Sequence, residues 1–326
     1  MLIDIISLVV GISVLVYSTE MLVDTSGRVA KELGVSIVVI GAVVVGFGTS
    51  LPEMAVSTMA ATRNDLNLGT GNVVGSIIAN LSVVAAGAAL TGRIPIPQRI
   101  LKTHLPISMN AVFWFCFFVQ DDFQRYEGFI LLGLLFASLG LMIRIDNRAS
   151  IISAGETEIP LSKDQDSFQV GTQESLKFKS EEMTKIGISL IGVLGSSYFI
   201  TEGAMGLAVE WGVGTGFIGA SLVAVGTSLP ELVASIIAVR KGKPEIVIGA
   251  ILGSNVFNGT AIGASMGIFG PGSVTETALT GWLTIGALSG ITFLWIWKGL
   301  SGKPVGRVTA FLLLAIYGIW MFFVGT

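Results

Sequence analysis

The sequence predicts an all-α membrane protein: ten transmembrane helices arranged as two inverted five-helix repeats. Three observations predict it. The chain is too apolar for a water-soluble core, it divides into ten stretches of membrane-crossing length, and one polar-studded segment recurs after an odd number of spans.

Of 326 residues 52% are hydrophobic and only 13% charged, with a mean hydropathy of +0.80. A soluble domain of this size has too little interior to hide so much apolar surface, so lipid is the expected solvent and membrane lipid the expected partner. A net charge of -3 gives no basic face for nucleic acid. The single cysteine, Cys116, excludes an internal disulfide and reads as a buried apolar residue in the run Phe113 to Phe118. Residues 1–23 lack a basic leader and a small-residue cleavage site, so they read as a first span and not as a removed signal peptide.

About 20 apolar residues cross the hydrocarbon as a helix. On that measure the spans fall near 2–23, 35–61, 67–91, 103–119, 126–144, 185–209, 213–239, 245–270, 277–297 and 305–324. Residues 1–145 thus form a first five-helix repeat and 185–326 a second. Between them, 146–184 is rich in Ser, Gln, Lys and Glu and reads as a flexible linker. Lys and Arg collect on the cytoplasmic side of membrane proteins. With ten spans, only Arg63 and Arg125 of the 19 basic residues fall on one face. Both termini are therefore expected outside and the linker in the cytoplasm, in a plasma or inner membrane of prokaryotic type.

Residues 39–90 align without a gap on 217–268 at a constant offset of 178. Gly48-Thr49-Ser50-Leu51-Pro52-Glu53 meets Gly226-Thr227-Ser228-Leu229-Pro230-Glu231. Ser57 meets Ser235, Gly75-Ser76 meets Gly253-Ser254, and Asn80 meets Asn258. Packing alone explains repeated glycines but not repeated polar residues inside apolar spans. Five spans separate equivalent points, so the copies enter the bilayer from opposite sides. Inverted repeats place a binding site at their interface near the midplane and expose it alternately by rocking.

A carboxylate such as Glu53 or Glu231 at membrane depth costs about 3 kcal/mol or more without compensation. Every Lys and Arg falls in a loop or at a span end, and His104 lies near a span boundary, so a mobile cation or a proton is the expected counterion. Thr49 and Ser50 lie four and three residues before Glu53, on one helical face, and Thr227 and Ser228 stand likewise before Glu231. Pro52 cannot donate to the carbonyl of Gly48, nor Pro230 to that of Gly226, which frees two carbonyl oxygens. Asn80 and Asn258 follow each Glu by 27 residues, one helical turn beyond Ser76 and Ser254, and amide oxygens hold hard cations without adding charge. Small residues at 46, 48, 75, 224, 226 and 253 let the helices close on these groups. An all-oxygen set suits Ca²⁺ or Na⁺ and not zinc or copper. Two carboxylates are balanced by one Ca²⁺ or by roughly two monovalent ions, which is a basis for exchange.

With these motifs the chain resembles the calcium/cation antiporter superfamily, and the sodium/calcium exchangers within it, over essentially its whole length. The resemblance implies Ca²⁺/Na⁺ antiport by alternating access, no cofactor and no catalysis, with no oligomer required. It implies cation ligands at Glu53, Glu231, Thr49, Ser50, Thr227, Ser228, Ser76, Ser254, Asn80 and Asn258, and backbone carbonyl ligands at Gly46 and Ala224. It also implies sliding of 2–23 and 185–209. Many sodium/calcium exchangers carry Asp where this chain has Asn258, which leaves stoichiometry and electrogenicity open. Proton-coupled relatives show Gly-Asn-x-x-Glu, whereas Gly71 to Gly75 lacks the Glu. Proton-coupled antiport and a cation channel remain the alternatives. A hydrolase using Ser50 or Ser228 is disfavoured, since His104 is remote in sequence from both and no acid-base partner is evident beyond the two Glu.

Overall fold

The computed structural model describes residues 2–33, 36–155, 171–210, 215–275 and 281–324, with backbone alone for 33, 147–155, 171–179, 204–205, 208–209 and 215–225. It is almost entirely helical. Its helices are α1 (Leu2–Leu33), α2 (Ile37–Thr49), α3 (Leu51–Thr62), α4 (Leu66–Thr91), α5 (Gln98–Lys102), α6 (His104–Phe118), α7 (Arg125–Gly155), α8 (Gly171–Glu210), α9 (Thr215–Arg240), α10 (Pro244–Phe269), α11 (Trp282–Leu300) and α12 (Arg307–Val324).

Among the described residues seven helical stretches, in α1, α4, α7, α8, α10, α11 and α12, are long and apolar enough to cross a membrane, and eight if α2 and α3 form one span bent by 47°. At 15 residues α6 is short for a full crossing. The expected flexible linker differs from the structure at both ends. Helix α7 runs to Gly155 and α8 starts at Gly171, so the ends of 146–184 continue the flanking helices, and 156–170 lies outside the described residues. The first turns of α8 carry Glu, Lys, Gln and Ser, residues that join a helix at little cost once an apolar helix follows.

Helices α4 and α10 form the centre, with 83% and 94% of their apolar windows buried, against 22 to 33% for α1, α7, α8, α11 and α12. Glycine allows the central packing. A Cβ on Gly46 of α2 would stand 2.8 Å from the Ala250 carbonyl and 2.9 Å from the Ser254 nitrogen of α10. Helices α1 and α8 lie along one another, and a Cβ on Gly203 would stand 2.7 Å from the carbonyl of Asp4. Cys116, expected to be buried, is half-buried: within its aromatic run Phe115 and Phe118 point into the core while Phe113 and Phe117 are exposed, and Cys116 lies between the two faces.

Two small β contacts join the halves. Strand β1 (Asp122–Phe123) pairs antiparallel with β2 (Gly272–Ser273), and Ile94 bridges Val305. The α4–α5 loop thereby meets the α11–α12 loop, and the α6–α7 loop meets the segment after α10. Ion pairs gather at the ends of α1, α8, α9 and α7. Lys241 binds Glu20 at 2.7 Å and Asp24 at 2.6 Å, Glu182 binds Arg28 and Lys185, and Asp146 binds Arg99 with His104 3.7 Å away.

Candidate functional site

The two recurring motifs meet in the centre. In the first copy the helix axis breaks at Ser50, whose φ of -88° and ψ of 4° leave the helical region, and Leu51-Pro52-Glu53 begins α3. Proline suits this place because the first turn of a helix asks nothing of its missing N–H. A π-helical stretch, Gly41–Gly46, precedes the break. In the second copy Pro230 stands inside the continuous helix α9. The lost hydrogen bond is common to both copies, but the bend occurs in one; proline removes the bond and packing decides whether the axis yields.

The hydroxyls cross between copies. Ser50 Oγ donates to Glu231 Oε1 at 2.9 Å, and Ser228 Oγ donates to Glu53 Oε1 at 3.2 Å. Thr49 and Ser50 face the Glu231 carboxylate, and Thr227 and Ser228 face that of Glu53. The sequence spacing had set each Thr and Ser beside the Glu of its own motif. The structure pairs each Ser with the Glu of the other. Thr49 Oγ1 also donates to the carbonyl of Val45 at 2.9 Å.

The second helix of each copy closes the cluster. Ser76 Oγ lies 3.2 Å from Ser228 Oγ, and Ser254 Oγ donates to the Gly46 carbonyl at 3.0 Å, which also accepts from Ser50 N–H at 3.2 Å. Asn80 and Asn258 each begin a π-helical turn, Asn80–Val84 and Asn258–Ile262, at the same offset as the motifs. Such turns occur often at functional sites because the wider turn redirects side chains and frees backbone groups. Glu53, Glu231, Thr49, Ser50, Thr227, Ser228, Ser76, Ser254, Asn80 and Asn258 are all buried. Ala224 lies in α9, and its side chain is outside the described residues.

Glu53 Oε2, Glu231 Oε2, Asn80 Oδ1 and Asn258 Oδ1 are buried without a hydrogen-bond partner. Neither Glu forms an ion pair among the described residues. Oxygens of this kind are costly in a low-dielectric interior unless a cation or proton meets them. Among the described residues no three His, Cys, Asp or Glu side chains gather, so two carboxylates and a set of neutral oxygens make up the cluster.

Two residues escaped the sequence reading as site members. Asn72 of α4 donates to Ser57 Oγ at 2.9 Å and accepts from Thr227 Oγ1 at 3.3 Å. Asn255 of α10 accepts from Asn80 Nδ2 at 3.3 Å. Neither has a counterpart in the other copy, where Ala250 and Ile77 occupy the equivalent positions. Duplication therefore could not mark them; a polar amide within an apolar span was their only signal.

A polytopic helical protein with two buried carboxylates among hydroxyl and amide oxygens falls in the class of membrane ion transporters. More narrowly, the chain belongs to the sodium/calcium exchanger protein family, whose model matches residues 3–144 and 184–326. It is 29% identical over 283 residues to the putative antiporter CaxA of Alkalimonas amylolytica, covering 85% of this chain and 84% of that one. It is 29% identical over 298 residues to the sodium/calcium exchanger MaX1 of Methanosarcina acetivorans, covering 83% and 85%. The solved structure of the sodium-calcium exchanger NCX_Mj soaked with Na⁺ and Sr²⁺ is similar to it with a TM-score of 0.79 at 26% identity, covering 98% of this chain and 97% of that one.

Proposed function

We propose that this protein is a secondary active antiporter that exchanges Ca²⁺ for Na⁺ at one midplane site shared by its two halves. The observation that carries the reading is the crossed pair of hydrogen bonds, Ser50 to Glu231 and Ser228 to Glu53, which makes the two motifs one cluster. The match to sodium/calcium exchangers over both halves supports it.

Glu53 and Glu231 supply a charge of about -2, and Thr49, Ser50, Thr227, Ser228, Ser76 and Ser254 supply hydroxyl oxygens. Asn80 and Asn258 supply amide oxygens, while Gly46 and Ala224 supply carbonyls. One Ca²⁺ or roughly two Na⁺ neutralise such a site. Only the neutralised site moves cheaply past the low-dielectric barrier, which couples the two ions.

Ten crossings in two inverted halves, 1–145 and 185–326 with 146–184 between them, fit the geometry. In this arrangement α2 with α3, and α6, count as spans. A two-fold axis in the membrane plane exchanges the α4–α5 loop with the segment after α10, and the α6–α7 loop with the α11–α12 loop. It therefore carries the Ile94–Val305 bridge onto the β1–β2 pair on the opposite face. The basic ends of α1, α8 and the α9–α10 loop then face the cytoplasm and both termini the outside. Helices α1 and α8, packed along each other at the periphery, slide together to open one side at a time.

Titration calorimetry on the purified protein tests the shared site. Na⁺ should raise the apparent Kd for Ca²⁺ competitively, without changing the number of Ca²⁺ bound; repeating the titration with Li⁺, K⁺ and H⁺ identifies the coupling ion. Ca²⁺ binding indifferent to all four ions contradicts exchange at one site.

A further inference from the structure

The two amides of the site are not equivalent, although the sequence repeats them. The Nδ2 group of Asn80 donates to Asn255 Oδ1 at 3.3 Å, and Asn80 Oδ1 is then left buried with no partner. An amide has two chemically unlike ends, so a bond that holds the nitrogen end also fixes where the oxygen points. Asn258 has no such bond: both its Nδ2 and its Oδ1 are buried without a partner. The cause lies in the sequence. The position equivalent to Asn255 in the first half is Ile77, which offers no acceptor.

A second contact bears on the same amide. The indole Nε1 of Trp295, from α11, donates at 3.0 Å to the carbonyl of Leu81, inside the π-helical turn that Asn80 begins. Helices α6 and α11 start at His104 and Trp282, again 178 residues apart, and at that offset the first half has Phe117, which has no N–H to offer the turn after Asn258. Asn80 is thus held at its side chain and at its backbone turn by residues that have no repeat partners. The Nδ2 of Asn255 is itself buried without an acceptor, which a residue present only for packing would avoid.

We propose that Asn255 is a positioning residue: it turns the oxygen of Asn80 toward the transported cation, so that Asn80 is a pre-set ligand while Asn258 is free to turn either end of its amide inward. This inference rests on the cation-site reading above. It gives an inverted-repeat carrier one rigid and one adaptable amide, the adaptable one able to follow ions of different size and number. Asn255 acts through Asn80 and touches the ion only by way of it.

The test uses the fact that a carboxylate, unlike an amide, has no wrong end. Half-saturating Ca²⁺ is read from the Ca²⁺-dependent rise in unfolding temperature of the detergent-purified full-length protein, for wild type, Asn255→Leu, Asn80→Asp and the double variant. Removing a group that orients a ligand raises half-saturating Ca²⁺ by about tenfold, so Asn255→Leu should do this in the wild-type background. In the Asn80→Asp background, which still binds Ca²⁺ through a carboxylate, the same change should shift it by less than about twofold. Asn255→Ala is the second variant to use where the leucine does not fold. Equal losses in both backgrounds mean that Asn255 only packs, and overturn the proposal; so does an Asn255→Leu protein with unaltered Ca²⁺ response, or an Asn80→Asp protein that no longer binds Ca²⁺. If the wild-type protein ignores Ca²⁺ but answers to Na⁺, the Ca²⁺ reading fails by itself and the same four proteins are compared with Na⁺. A protein that answers to neither ion overturns both.

Discussion

Ser50 Oγ donates a 2.9 Å hydrogen bond to Oε1 of Glu231, a residue 181 positions away in the opposite half of the chain. With its counterpart from Ser228 to Glu53, this bond makes each motif complete only in the presence of the other. A hydrogen bond to a charged carboxylate contributes about 1.5 to 3 kcal/mol. Ser50→Ala should therefore raise half-saturating Ca²⁺ by roughly 10- to 100-fold, as should Ser228→Ala. Double-mutant cycles give the sharper result. Ser50→Ala should couple to Glu231→Gln and not to Glu53→Gln, and the reverse pattern would return each hydroxyl to its own motif.

The cluster carries two carboxylates because both second-helix positions are Asn. Asn258→Asp places a further negative charge on a side chain whose Oδ1 has no partner. Current and isotope flux measured together should then show more monovalent charge moved per Ca²⁺, or a changed voltage dependence. An unchanged ratio would mean that residue 258 takes no part in charge balance.

Gly46 lies where α2 crosses α10 with no room for a side chain. The nearest neighbours of an added Cβ are backbone atoms, the Ala250 carbonyl at 2.8 Å and the Ser254 nitrogen at 2.9 Å, and neither can rotate away. Gly46→Ala should force α10 outward, lower the unfolding temperature and weaken Ca²⁺ binding, since Ser254 donates to the Gly46 carbonyl at 3.0 Å. The stability loss is expected to be about 1 to 3 kcal/mol, the usual cost of overpacking. A fully stable Gly46→Ala protein with unchanged Ca²⁺ affinity would place the crossing elsewhere.

The pairing of Lys241 with Asp24 and Glu20 ties the end of α1 to the loop after α9. Hydrogen bonds to Asp24 and then to Glu20 hold the Lys241 pKa above its ordinary value. A cation whose folded pKa is raised contributes its stability in full below the unfolded pKa and loses it only as pH climbs through the folded one. The tie is therefore complete at neutral pH and gives transport no pH dependence there. Lys241→Met should loosen α1, seen as faster proteolysis at Arg28 or Lys31, with the pH profile of flux near neutrality unmoved. A shifted profile would give Lys241 a part in the transported charge.

The sequence made much of the oxygen set legible because the chain writes it twice: the Glu, Thr and Ser residues of the two motifs meet in one buried group, and Asn80 and Asn258 are buried on the helices that follow. Which copy each hydroxyl serves was not legible, since spacing along a helix places Ser50 near Glu53 and says nothing of a helix 181 residues away. The break at Ser50 without its counterpart at Ser228 was equally hidden, because Pro52 and Pro230 remove the same bond and tertiary packing sets the bend. Asn72 and Asn255 were missed for the opposite reason: they act in one copy only. The polar composition of 146–184 suggested a flexible linker, yet α7 continues through Asp146 to Gly155, and Gln, Glu and Lys residues join the first turns of α8.

Uptake of radioactive Ca²⁺ into proteoliposomes loaded with Na⁺ tests exchange at the shared site most directly, with wild type, Glu53→Gln and Glu231→Gln compared side by side. Ca²⁺ should accumulate only while Na⁺ can leave, stop when the Na⁺ gradient is collapsed, and fail in both variants, since each removes half of the site's charge. Ca²⁺ entry that ignores the Na⁺ gradient, or that persists at the wild-type rate in both variants, would contradict it.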